Sequence, residues 1–143
     1  MEKYGLIGML LVFLLTGCSV SIDNASSKSE EFASTAEELS STLNDVRDEM
    51  ESLKDKTNLS SKDQALIVEQ TDAAIRVIDK FKEEEAPFIA NIAKKVVIKE
   101  LNKKTTLLES IKEKAEKGTA NEEDVNKIIE TLSDDFEINL FEK

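Results

Sequence analysis

Acid/base, nucleophilic and metal chemistry each depend on a few side-chain types, and this chain of 143 residues supplies them unevenly. It contains no histidine, which removes the commonest general base and the commonest transition-metal ligand. Carboxylates cluster at 83–85, 122–124 and 134–135, yet none follows the alternating, glycine-containing loop of an EF-hand. Two of these clusters stand where a helix N-terminus is expected and where acids favour the macrodipole, so they read as solvated acidic surface and no metal site is expected. The many serines and threonines have no histidine and no elbow motif to activate them. The expectation is a non-enzymatic protein without a cofactor.

Charge offers a second kind of chemistry. In a chain of formal net charge -11, Lys94, Lys95, Lys99, Lys103 and Lys104 fall within eleven residues, and Lys95, Lys99 and Lys103 step by four along one flank of an expected helix. Such a stripe could meet phospholipid headgroups or an anionic wall polymer. The plainer reading is that these lysines solvate the outer face of a helix whose inner face carries Val96, Val97 and Leu101. Net acidity argues against nucleic acid as a partner, and against adhesion to anionic lipid by net charge.

Near the start, Leu6 to Leu15 form an apolar run of about ten residues, half the roughly twenty that a helix needs to cross a bilayer. The run fits the core of a signal peptide instead, although Lys3 beside Glu2 makes a thin basic region. It stops at Leu15-Thr16-Gly17-Cys18, and Cys18 is the only cysteine, so no internal disulfide can form. These four residues resemble the lipobox of bacterial lipoproteins. The resemblance implies cleavage before Cys18, a diacylglyceryl group on its sulfur, and a mature chain from Cys18 to Lys143. Two acyl chains anchor a protein stably where one does so only marginally. The implied destination is the extracytoplasmic face of the cell membrane. With 17 lysines to two arginines, the composition suggests a low-GC, Gram-positive source.

Residues 18–29 are polar, serine-rich and without apolar periodicity, and read as a flexible tether with a reach of roughly 20 Å. From Glu30 the pattern changes. Phe32, Ala36, Leu39, Leu43, Val46, Met50 and Leu53 alternate spacings of four and three, a heptad seam that predicts a helix from about Ser29 to Lys56. The narrow stripe suits packing inside a bundle first, with pairing of two copies of the chain as a coiled coil the lesser alternative.

Ser60 or Ser61 can cap a second helix running to about Glu84, with Leu66, Ile67, Ala74, Ile75, Ile78 and Phe81 inward. Pro87 after three glutamates favours a new helix over continuation, since proline and acids suit a first turn; the alternative is one kinked helix from Ser61 to Lys117. The third helix, from Pro87 to Lys117, is expected to bury Ile89, Ala93, Val96, Val97, Leu101, Leu108, Ile111 and Ala115. Gly118 marks its end. Thr119 or Asn121 then caps a fourth, with Val125, Ile128, Ile129, Leu132, Phe136 and Leu140 at helical spacing.

The fold class expected is all-α: an up-and-down bundle of three or four long helices with coiled-coil-like packing over 30–143, behind a signal peptide (1–17) and a tether (18–29). The whole pattern loosely resembles cell-wall-binding helical lipoproteins of Gram-positive bacteria. That likeness is compositional, and no binding residue transfers from it. The functional expectation is a membrane-anchored binding or scaffold module with a protein or wall-polymer partner, for which an exposed apolar or basic stripe is predicted. An immunity, exclusion or inhibitor lipoprotein of a mobile element is the alternative. An enzyme or solute receptor would need a closed polar pocket that so small and regular a chain is poorly suited to form.

Overall fold

The heptad seam does fold as one face of a helix. A computed structural model describes residues 23–88 and 90–133, with nothing described for the side chains of 23–27. Helix α1 spans Asp23–Glu51, and along it Phe32, Leu39, Leu43, Val46 and Met50 are buried. Its start corrects the expected tether: 23–29 continue the helix, leaving only 18–22 before it. Serine, alanine and lysine extend a helix at little cost once it is nucleated, and an acid at Asp23 suits its N-terminus. The other end closes earlier than Lys56. The amides of Ser52, Leu53 and Lys54 each bond the carbonyl three residues back, and this tighter turn still buries Leu53.

Helix α2, Ser61–Glu83, begins at a reciprocal cap. The Asp63 amide donates to Ser60 Oγ at 3.2 Å while the Ser60 amide donates to Asp63 Oδ2 at 2.8 Å. Lys56 Nζ reaches Asp63 Oδ1 at 2.7 Å. The Lys56 hydrogen bond first, and those from Ser60 next, hold the Asp63 carboxyl down from 3.8 to about 2 despite its burial. A depressed carboxyl stabilises the fold fully above its unfolded value, and the contribution fades as pH falls from about 4 to about 2. Thermal melts should therefore show Asp63→Asn below wild type at pH 7, with the two curves converging across that acid window. A gap that stays constant down to pH 2 would mean the charge on Asp63 contributes nothing.

Pro87 breaks the helix; it does not kink it. Residues 84–90 reverse the chain, with the Ala90 amide on the Pro87 carbonyl at 2.9 Å, and helix α3 spans Asn91–Glu116, four residues later than expected. Proline's fixed φ suits this turn as well as a helical first turn. Helix α3 ends in a Schellman motif: the Thr119 amide bonds the Lys114 carbonyl, the Gly118 amide bonds that of Ala115, and Gly118 sits at φ +69°. Asn121 and Asp124 then cap each other reciprocally at 3.0 and 3.1 Å to start α4, Glu122–Ser133.

Each helix packs against its chain neighbours, and α4 returns to α1, so the four close into a ring with α1 and α3 on the diagonal. Cross-helix pairs fix the antiparallel register: Lys80 with Glu38 between α2 and α1, Lys112 with Asp72 between α3 and α2, and Lys114 with Asp124 between α3 and α4. Ile67, Ala74, Ile78 and Phe81 of α2, Leu101, Leu108, Ile111 and Ala115 of α3, and Val125, Ile128, Ile129 and Leu132 of α4 fill the centre. Leu66 and Ile75 are only half-buried at its edge. Helix α4, with 12 residues against 26 in α3, covers the half of α3 around Lys104 to Lys114. Ile89 and the tail carrying Phe136 and Leu140 lie outside the described residues, as do Leu15, Thr16, Gly17 and Cys18.

Candidate interaction surface

The largest exposed apolar side chains mark one side of α3. Phe88, Ile92 and Val96 are 92%, 78% and 64% exposed, the first in the turn leading into the helix and the others on its first two turns. Residues four apart on a helix drift only about 40° round its axis, so Ile92 and Val96 share one side of α3, and Phe88 is exposed in the turn that precedes them. Val96 thus corrects the expected inner face. Ala93 and Val97 are half-buried at its margin.

The opposite face explains the rotation. Lys94, Leu101, Leu108 and Ala115 recur every seven residues and all are buried. Lys94 does not belong to a surface stripe. Its Nζ donates to the carbonyl of Lys82, at 3.0 Å, and to that of Glu84, where α2 runs out of intrahelical partners. The ammonium also lies 5.8 Å from the Phe81 ring centroid, and burial pulls its pKa down. Lys104 likewise turns inward and donates to the carbonyl of Thr131 near the end of α4. The five lysines therefore divide by role. Two close the ends of neighbouring helices.

Lys95, Lys99 and Lys103 are exposed, as their spacing predicts. They share the outer side of α3 with Ile92 and Val96, and Lys103 is paired with Glu100 at 3.0 Å one turn back. The result is a surface that is apolar towards the 84–90 turn and cationic behind it. Lys28 of α1 holds Glu85 of that turn at 2.5 Å. The pair is solvent-exposed; each partner's hydrogen bond raises the lysine and lowers the carboxyl. This contact sets the first turns of α1 beside the loop that carries Phe88.

Two concavities are less suited to chemistry. A recess of about 390 Å³ is lined by Glu30, Glu31, Ser34, Thr35 and Glu84, an acidic wall facing α1 rather than the outer side of α3. An open groove of about 580 Å³ runs between the start of α2 and the end of α3, past Leu59, Val68 and Gly118. Gln64 borders it. Its amide nitrogen ties α2 to the Ala120 carbonyl at 2.7 Å, while its Oε1 is buried without a protein partner. Among the described residues no cluster of three acidic or sulfur ligands is arranged to hold a metal ion, and no helix is long and apolar enough to cross a membrane. Comparison with protein families, with characterised proteins and with solved structures finds no match for this chain.

The spacing that reveals this surface is present in the sequence. Lys94 lies seven residues before Leu101 and so shares its face, whereas Val96 does not. Sorting α3 by residue type, apolar in and charged out, hides both.

Proposed function

We propose that the protein is a lipid-anchored, non-enzymatic binding module of the cell envelope, tethered through Cys18 and presenting the outer side of α3 to an envelope protein or an anionic envelope component. The observation that supports this reading is the exposure of Phe88, Ile92 and Val96 alongside Lys95, Lys99 and Lys103. A scaffold needs a solvent-facing patch that folding itself does not use. Single exposed apolar residues are ordinary, but two on one side of α3 with a third in the turn before it support reading this end as a contact surface. The apolar run ending at Leu15-Thr16-Gly17-Cys18 supplies the address.

The anchor is testable on its own. Wild type and Cys18→Ala are expressed in a bacterial host, cells are fractionated, and the mature N-terminus is determined by mass spectrometry. Wild type is expected in the membrane fraction with diacylglyceryl on Cys18. The variant should lose both processing and membrane attachment. An unmodified Cys18 in wild type overturns the envelope address and the scaffold reading built on it.

A further inference from the structure

The fold puts the anchored end of the chain and the apolar end of α3 together. Only four residues, 19–22, separate Cys18 from the start of α1, five Cα steps in all. Fully extended they reach at most about 17 Å. Lys28 is bonded to Glu85, so the first turns of α1 run beside the 84–90 turn, and Asp23 lies about 8 Å further along the axis. The end that carries Phe88 is therefore the end nearest the lipid, while the Gly118 turn is a helix length of about 39 Å away.

On the outer side of α3 the apolar residues begin nearer the turn and the lysines lie further back, with Val96 between Lys95 and Lys99. Phe88, at the turn, and Ile92 come first. Lys95 and Lys99 stand about 5 and 10 Å behind Ile92 along the axis, the depth over which an interfacial segment passes from acyl boundary to headgroup phosphate. Of the carboxylates near this end, Glu30, Glu31 and Glu84 line the recess on the α1 side, Glu85 is paired with Lys28 and Glu100 with Lys103, which leaves exposed Glu83 as an opposing charge. A net charge of -11 would keep the free domain off an anionic membrane, yet a tether supplies a high effective concentration, under which even a weak local contact is occupied.

We propose that Phe88, Ile92 and Val96, with Lys95 and Lys99, form a second membrane contact, in which the turn end of α3 dips into the headgroup region of an anionic phospholipid surface. This rests on the Cys18 anchor for its biological setting. The occupant is the lipid surface, because an anchor on Cys18 puts that partner within reach of so short a tether.

The chain has no tryptophan, so Phe88→Trp introduces a single indole at a position 92% exposed, where the core is untouched. The mature chain carrying this substitution is coupled through Cys18, its only thiol, to maleimide lipid in vesicles of phosphatidylcholine and phosphatidylglycerol, three to one. The emission should shift to the blue on coupling and be quenched by acyl-brominated lipid. Adding Ile92→Asp and Val96→Asp should lower the ratio of inserted to free indole by about tenfold or more, as expected for losing two apolar side chains from the contact. Lys95→Glu with Lys99→Glu should weaken it on anionic vesicles and leave pure phosphatidylcholine unaffected, while circular dichroism confirms unchanged helix content. An indole that stays in water on the coupled vesicle overturns the proposal, and so does one that is shielded only when an envelope protein is added. Chemical coupling supplies the tether whether or not a cell acylates Cys18, so insertion without native lipidation removes the anchor reading alone, and native lipidation without insertion removes this one alone.

Discussion

Phe81→Ala is expected to be the most damaging single substitution in the bundle, costing about 3–5 kcal/mol. The ring is fully buried and lies 5.5 Å from that of Phe32, tilted by 38°, with the Lys94 ammonium over it. It fills the point where α1, α2 and the start of α3 converge, beyond the stretch of α3 that α4 covers. With long helices pinned by ion pairs on either side, the walls have little freedom to collapse into the space left, which pushes the cost towards the upper end of that range. A domain of this size is stable by about 5–15 kcal/mol, so the loss is a large share of the total. Urea titration followed by helical circular dichroism should show the midpoint falling by about 1–3 M. The informative control is Phe88→Ala, the same truncation seven residues on, where a 92% exposed ring should cost no more than about 0.5 kcal/mol. Equal effects at the two positions would mean that the loop end of the bundle is not packed as described.

That pair of phenylalanines shows where sequence reading succeeds and where it stops. The α1 seam was legible because its apolar residues keep a strict heptad, although Thr35 is buried beside a half-buried Ala36. Ser60, Asn121 and Gly118 were legible because capping and left-handed termini demand particular residue types. The start of α1 was not, since serine-rich sequence is compatible with both coil and a helix already propagating behind it. Helix α3 was harder still. Its outer side carries Ile92 and Val96 and its inner side carries two lysines, so residue type points the wrong way at each of these positions. Lysine can enter a core because its stem is apolar and its three donors satisfy carbonyls that a helix end leaves open. The candidate surface was therefore half legible: Lys95, Lys99 and Lys103 by spacing, but not the apolar residues beside them.

The same lysines explain how a bundle with one glycine and one proline among its described residues turns its corners. The first and third turns use local means, a reciprocal cap after each, with a glycine at the third. The 84–90 reversal has no such cap: Ala90 offers no side-chain bond to the start of α3, and the end of α2 lacks a glycine. Its closure is made from a distance. Lys94 crosses from α3 to the last carbonyls of α2, and the turn that results holds Phe88 outward.

Lys94→Met tests this directly and should destabilise the protein by about 1.5–3 kcal/mol, the range for hydrogen bonds made by a charged group. Methionine keeps an unbranched stem of similar length, so packing against Phe81 is largely preserved and the loss reports the ammonium. Two effects oppose each other there. Burial penalises the cation, which is why its pKa is lowered, while the carbonyls of Lys82 and Glu84, the negative end of the α2 dipole and the Phe81 ring face all favour it. With two carbonyls satisfied at once and the site at the rim of the bundle, the favourable side should win. Urea midpoints should fall for Lys94→Met and move by no more than about 0.5 kcal/mol for Lys95→Met one residue away. Amide exchange should also accelerate over 84–90 and the last turn of α2 while the Gly118 end keeps its protection. A neutral or stabilising Lys94→Met would show that desolvation cancels the carbonyl bonds. The chain alone would then set the reversal, and the outward position of Phe88 would need another cause.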